Sequence, residues 1–414
     1  MRSSLPASGM ARADIFRCMR EYSARDVDWR RGRTPLYVFK ADDEVAAIGR
    51  DAFMEFFTEN ALGGKRAFHG LKRMEDDVIG IGLTLLHAPE DAAGYFTTGG
   101  SESIVTALKT CRDYVRRQKG TSDFRGNVVL PQSAHPAFSK AGQLMDLELR
   151  RIPLGRDYRA DVDAMARAID DDTLLLVGSA PSFPYGAIDD ITALGALAQS
   201  RNLWLHVDAC VGGYLAPFVA KAGHPVPPFD FAVPGVTSIS ADLHKFGFCP
   251  KPASTVFYRS ADRAACQPFE MEDWPSGKFS TATIAGTRPG GAVAGAWATL
   301  HALGEAGYVE IARRIMALVA AYRRGLEGLG LRMVGNPDLS ILCFTSDDVD
   351  MLQVGERMAS RGWLPGMVRE PKSMHLMLSM LHAPALDDYL ADMRASIDEV
   401  RRAGSPSAKV TVSY

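Results

Sequence analysis

The sequence predicts an α/β fold: a large domain on a mainly parallel sheet with helices on both faces, then a small C-terminal α+β domain. Two observations carry this. Between about 90 and 300, short apolar runs alternate with helical patterns, the mark of strand–helix–strand units. Beyond about 306 the pattern becomes one long helix, two short apolar runs and a last helix. The 414 residues are too many for one small core, which agrees with two packed regions. The divisions fall at 1–60 for an N-terminal arm, 61–305 for the large domain and 306–414 for the small one.

Residues 1 to about 40 are arginine-rich and weakly periodic, and read as a docking segment. Residues 44–62 read as a helix, with Val45, Ile48, Phe53, Phe56 and Phe57 apolar. The stretch 101–118 places Ile104, Ala107, Leu108, Cys111 and Val115 on one helical face. Buried strands are expected at 127–130, 173–177, 203–207, 236–239 and 254–258. A helix over 308–329 ends at glycines. Residues 340–344 and 374–378 read as strands, 385–402 as a helix, and the tail 403–414 as loosely ordered.

Composition excludes several functions. Charged residues are 23% and hydrophobic residues 47%, as in an ordinary globular chain, and the formal net charge is -2. No nucleic-acid-binding surface is indicated. No apolar run approaches the roughly 20 residues that span a bilayer, and residues 1–10 lack the apolar core of a signal peptide. The six cysteines form no CxxC pair, so neither a metal site nor a disulfide framework is favoured. A reducing cytoplasm is the expected location.

Chemistry concentrates in two segments. Lys245 follows the small-residue run Thr237-Ser238-Ile239-Ser240-Ala241 and stands directly after His244. Asp208 ends the apolar run Leu203–Val207. A strand-end lysine in a tight setting suits a Schiff base with pyridoxal 5'-phosphate (PLP), and desolvation there would lower its pKa. A carboxylate at a buried strand tip suits the pyridine nitrogen of that cofactor, keeping it protonated as an electron sink. Asp208 could instead cap a loop, yet buried charges are costly unless paired. The run Thr97-Thr98-Gly99-Gly100-Ser101 opens the helix at 101–118. Its free N–H groups make an anion site, although a plain helix cap at Ser101 gives the same pattern. His135 follows a strand and could lie over a cofactor ring. His206 points to the opposite strand face from its neighbours and reads as a packed core histidine. Lys251 could bind a substrate anion or be a solvated surface lysine. Gly286, Thr287 and Arg288 lie in a glycine-rich run that serves as a rigid turn, a binding loop, or both.

From about Tyr37 to Ala403 these segments resemble the PLP-dependent sphingosine-1-phosphate lyase family, of the aspartate-aminotransferase-like fold type I, near the group II decarboxylases. The matching pieces are Phe96–Ile104, Pro131–Phe138, Phe183–Gly186, His206–Gly213, Gly235–Lys245, Cys249–Lys251 and Thr283–Gly291. The resemblance implies that Lys245 carries the cofactor, that Asp208 pairs with its ring nitrogen and that His135 stacks on the ring. It implies that Gly99, Gly100, Ser101, Ser240 and His244 hold the cofactor phosphate. Gly286 and Thr287 would reach the phosphate of a neighbouring subunit, making the enzyme a homodimer with shared sites. Tyr37 and Lys251 match two of the family's substrate-phosphate residues.

Departures from the family pattern fall around the substrate. Where the family has His-Pro-Asp, this chain reads Gly63-Gly64-Lys65-Arg66, so Lys65 or Arg66 would have to supply the missing charge. Pro252 replaces a glycine, Phe246 and Phe248 replace tyrosines, and no counterpart of the eukaryotic membrane-anchoring helix is expected. The implied activity is carbon–carbon cleavage of a phosphorylated amino alcohol by a retro-aldol step, giving an aldehyde and phosphoethanolamine. The first rival is an amino-acid decarboxylase, with Arg288, Lys65 or Arg66 meeting the carboxylate. A non-catalytic binding protein that has kept the fold is the second.

Overall fold

The computed structural model describes residue 2 and residues 4–403. The expectation about the tail beyond 403 lies outside the described residues. The large sheet has seven strands: β1 (Ala93–Thr97), β2 (Asn127–Pro131), β3 (Glu148–Ile152), β4 (Thr173–Ser179), β5 (Trp204–Asp208), β6 (Ser238–Ala241) and β7 (Ser254–Tyr258). They lie in the order β1-β7-β6-β5-β4-β2-β3. Only β7 runs against its neighbours, so the sheet is mainly parallel, as the alternation predicted. Every residue of β2, β4, β5, β6 and β7 is buried, which is why these strands read as continuous apolar runs. The edge strand β3 carries Glu148, Arg150 and Arg151 and is partly exposed; charge there discourages pairing with another chain. β1, β3 and the exposed hairpin of β8 (Phe269–Met271) and β9 (Phe279–Thr281) were not foreseen.

A second, four-stranded sheet has the order β10-β11-β13-β12, from β10 (Arg332–Met333), β11 (Ile341–Thr345), β12 (Gly366–Val368) and β13 (Ser373–Met377). The Met351–Ser360 helix packs on it, and the Leu386–Ala403 helix packs on that helix. Two helix expectations need correction. The helix expected over 44–62 is Asp43–Glu55, capped by Asp42 on the Val45 N–H at 2.8 Å. The helix expected over 308–329 begins at Gly290 and runs to Glu327, with a bend at Gly304, where φ is 55°. Its first half carries glycines at 290, 291 and 295 because it must approach other backbone closely. A Cβ at Gly291 would lie 2.4 Å from the Phe53 carbonyl oxygen, and one at Gly295 would lie 3.0 Å from that of Gly49. Packing against the Asp43–Glu55 helix thus overrides propensity. At the N-terminus, Arg12–Tyr22 is helical and buries no residue.

In an open sheet of this kind ligands bind beyond the carboxyl ends of the strands. Here those ends are Ser179, Asp208 and Ala241. Buried Asp189 fastens the turn after β4, accepting from the Ser179 and Ala160 N–H groups, each at 2.7 Å.

Three fully buried groups make stability depend on pH. Burial holds the His206 and His375 imidazoles down to about 4. The unfolded chain takes up these protons near pH 6.5, so between those limits it binds more protons than the folded one, and stability falls as pH falls. Asp189 works the other way: burial raises its carboxyl to about 6, so acid relieves its cost. From pH 7 to pH 5 each histidine should remove about 2 kcal/mol and Asp189 return about 1 kcal/mol. Urea unfolding at both pH values checks this: the stability should be lower at pH 5 by roughly 2–3 kcal/mol. Equal stabilities would contradict it.

Candidate active site

The ends of β4, β5 and β6 face the N-terminus of the Gly100–Lys119 helix across a cavity of about 390 Å³. Gly99, Gly100, Ser101, His135, Asp208, His244 and Lys245 all line it. Several helices of the fold begin on a side-chain cap, such as Asp42, Asp161, Asp190 or Asp350, and others do not. This one begins at Gly99 with none, so its first N–H groups open onto the cavity. Glu102, in its first turn, accepts from the Thr98 N–H and hydroxyl, each at 2.7 Å, and from the Ile284 N–H at 2.8 Å. It thereby locks the glycine turn to the loop ahead of Gly290.

Lys245 Nζ lies 2.8 Å from Asp242 Oδ2. Asp242 is 2% exposed, and its other oxygen, Oδ1, is buried with no hydrogen-bond partner among the described residues. Burial, the largest single influence, pulls the Lys245 amine down, but Asp242, Cys210 and Asp208 together pull it up by more, so the net shift is upward. This corrects the expectation of a lowered amine: the desolvation is present, and the surrounding acidic groups, Asp242 foremost, together outweigh it. Burial would raise the Asp242 carboxyl, and Lys245 and His244 reverse that, leaving it below its ordinary value. A Cβ at Gly100 would stand 2.7 Å from Cys210 Sγ and 2.8 Å from Asp242 Oδ2. Glycine there lets the positive helix end come against the ion pair.

Asp208 ends β5, is buried, and accepts at Oδ1 from the Cys210 N–H at 3.1 Å. Among the described residues none hydrogen-bonds its Oδ2. Burial lowers the His135 and His244 pKa values, so both rings are neutral at pH 7. The Ala137 and Ala253 N–H groups donate to their Nδ1 atoms at 3.1 and 3.2 Å, which leaves each ring proton on Nε2. His206 is the packed core histidine the sequence suggested: it bonds Ser238 at 2.8 Å and Ser240 at 3.2 Å, edge-on to Phe138.

These residues fit PLP. The cavity offers an amine, a carboxylate oxygen with no partner among the described residues, uncapped helix amides for a phosphate, and the orphaned Asp242 Oδ1.

Other expected residues lie elsewhere. Ser240 does not face the cavity; it is fully buried beneath Asp208, its hydroxyl shared among His206, Cys210 and Asp208. The expectation that it holds the phosphate does not fit that placement. Lys251 Nζ donates to the Tyr37 carbonyl at 2.9 Å, so these two meet, outside the cofactor cavity. Lys65 and Arg66 are exposed on the turn after Ala61–Gly63 and do not line the cavity. Gly286 and Thr287 do not line the cavity either, and the Thr287 hydroxyl accepts from Asn60 Nδ2 at 3.2 Å. Arg288 is committed to Glu75 at 2.5 Å and to the Phe96 carbonyl. Asp242, Glu102 and Phe183 also line the cavity and carried no assigned role in the sequence. The i, i+3 spacing of Asp242 and Lys245 was the available signal for the first.

Residues 72–346 match the family described as pyridoxal-dependent decarboxylase conserved domain. The sphingosine-1-phosphate lyase of Arabidopsis thaliana is 41% identical over 410 residues, 97% of this chain and 75% of that protein. That of Oryza sativa subsp. japonica is 37% identical over 98% of this chain and 76% of its own length. Among solved structures, the Burkholderia pseudomallei sphingosine-1-phosphate lyase superposes with a TM-score of 0.92 at 33% identity, covering 97% of this chain and 94% of that one.

Proposed function

The chain belongs to the sphingosine-1-phosphate lyase family, on a pyridoxal-dependent decarboxylase domain, and we propose that it cleaves a phosphorylated amino alcohol of the sphingosine-1-phosphate class. It is a PLP-dependent lyase. The bond broken joins the amine-bearing and hydroxyl-bearing carbons, and the products are an aldehyde and phosphoethanolamine. The observation that carries this reading is the single cavity that brings Lys245, Asp208 and the uncapped Gly100 helix together.

Bound there, PLP supplies the electron sink that makes such a cleavage possible. Lys245 Nζ would hold it, Asp208 Oδ2 would accept from its ring nitrogen, and the amides of Gly100 and Ser101 would take its phosphate. His135, neutral and protonated on Nε2, would donate a hydrogen bond toward a substrate oxygen over the ring. Whenever the Lys245 amine is free of the cofactor, Asp242 favours its charged form, so the lysine could return a proton to carbon at the end of a turnover. Tyr37 and Lys251, drawn together outside the cofactor cavity, are assigned to the substrate phosphate. Lys65 and Arg66 are exposed, so a contribution from either would come at an interface with a second chain.

One observation disfavours the decarboxylase reading. A carboxylate substrate needs a cation, and Arg288 is already taken by Glu75. The reading includes a homodimer in which Gly286 and Thr287 close the partner's site. The exposed apolar residues Ile15, Phe16, Met19, Phe57 and Ile284 support such an interface. A cytoplasmic location is part of the same reading, supported by six free cysteines.

Three measurements test it. Borohydride reduction of the loaded enzyme should fix the cofactor on the peptide holding Lys245, and sphingosine-1-phosphate should yield a fatty aldehyde by mass spectrometry; carbon dioxide released from amino acids instead would favour the decarboxylase. Lys251→Ala removes a charge-assisted phosphate contact of roughly 1.5–3 kcal/mol, so kcat/KM should fall by about one to two orders of magnitude on the phosphorylated substrate only. Equal losses on the dephosphorylated substrate would sink the phosphate assignment. In sedimentation at catalytic concentration, the active species should be a dimer; an active monomer overturns the shared site.

A further inference from the structure

The chain leaves β4 at Ser179 and makes an irregular turn before Ile191, and this turn is docked on the small sheet. Gly186 lies flush against β11: a Cβ there would stand 2.4 Å from the Ile341 carbonyl oxygen, and φ is 73°. The Asp338 N–H donates to the Gly186 carbonyl at 3.1 Å, and Asp338 Oδ2 accepts from the Ile188 N–H at 2.7 Å. Arg159 holds the same carboxylate at 2.9 Å. The Tyr185 hydroxyl donates to the Glu370 carbonyl at 2.7 Å.

His375, on β13, makes the contact that bears on the site. Its Nδ1 lies 3.2 Å from the Phe183 carbonyl and 3.3 Å from that of Pro184. Both partners can only accept, so Nδ1 carries the hydrogen and donates. The imidazole meets the Phe183 ring edge-on, with centroids 4.6 Å apart. The small sheet makes room for this ring: a Cβ at Gly366, its neighbour on β12, would come within 2.1 Å of it. Burial keeps the imidazole neutral, so the donor persists across the physiological range.

Phe183 in turn lines two cavities. One is the cofactor cavity; the other, of about 740 Å³, lies beside it between the large domain and residues 367–371 of the small one. His135 is shared in the same way.

We propose that His375 is a positioning residue: from the small sheet it fixes Phe183 at the wall between the two cavities and so sets how large a group the site admits beside the substrate amine. This rests on the lyase reading for its choice of substrate. The small domain then shapes the active site through a backbone carbonyl and a ring edge, with no side chain of β13 entering the cofactor cavity.

The test uses the loaded enzyme and four variants: His375→Ala, His375→Asn, Phe183→Ala and the Ala/Ala double. Asn keeps a donor where Nδ1 stands. Hydrogen–deuterium exchange should rise roughly tenfold or more in residues 182–188 of His375→Ala, with exchange elsewhere and the cofactor absorbance unchanged. For phosphorylated amino alcohols of short and long alkyl chain, KM should rise about tenfold and chain-length preference should flatten, with kcat within about threefold. His375→Asn should recover most of both. The double variant should match Phe183→Ala, because the histidine acts through that ring. Unchanged exchange in 182–188 would overturn the proposal. So would effects that add in the double variant, or a loss of cofactor, kcat and KM together that Asn does not rescue. If the wild type turns over no phosphorylated amino alcohol, the lyase reading fails, and the exchange data alone then decide the role of His375.

Discussion

The site depends on one buried ion pair, Lys245 with Asp242, at 2.8 Å. A lone ammonium at this depth would give up its proton, and a lone carboxylate would take one. Together they stay charged, and the positive end of the Gly100–Lys119 helix lies against the carboxylate. That approach is why position 100 is glycine, since any side chain would meet Asp242 and Cys210. The same helix end, left without a side-chain cap, provides the amides that suit a phosphate. The amine, its counter-ion and the anion cradle are thus one packing unit.

Around that unit the large sheet supplies rigidity and the small sheet supplies shape. β5 places Asp208 and β6 leads to Lys245, and both strands are buried throughout. Asp189 ties the turn after β4 to that framework from below, while Asp338 and His375 grip it from the small sheet. Glu102 fastens the glycine turn to the loop ahead of the Gly290 helix. Each wall of the cavity is therefore held by a different part of the fold, and a change in one wall need not disturb the others.

What could be read from sequence follows from what each residue does locally. Buried parallel strands announce themselves as apolar runs, so β2, β4, β5 and β7 were legible almost to the residue, whereas β6 was placed two residues early. Asp208 and Lys245 were legible because a charged residue at the end of such a run needs a reason. The first half of the long helix, from Gly290 to the bend at Gly304, was not legible, because its glycines answer to Phe53 and Gly49, which are distant in sequence. Ser240 was misjudged because strand alternation, not motif position, turns its hydroxyl under Asp208. The upward shift of Lys245 escaped because desolvation could be guessed from neighbours, but the Asp242 contact needed the turn's geometry. Phe183 and His375 were invisible as a pair, being joined only when the two sheets meet.

The central claim is that Asp242 favours the charged form of the Lys245 amine whenever that amine is free of the cofactor. The most direct measurement is the rate at which cofactor-free protein captures PLP as a function of pH, in the wild type and in Asp242→Asn. Capture needs the neutral amine. In the wild type the rate should therefore climb through the alkaline range. In Asp242→Asn, burial is left to act without the carboxylate, and the midpoint should fall by at least about one pH unit. Midpoints that coincide, or a midpoint that rises in the variant, would contradict the account.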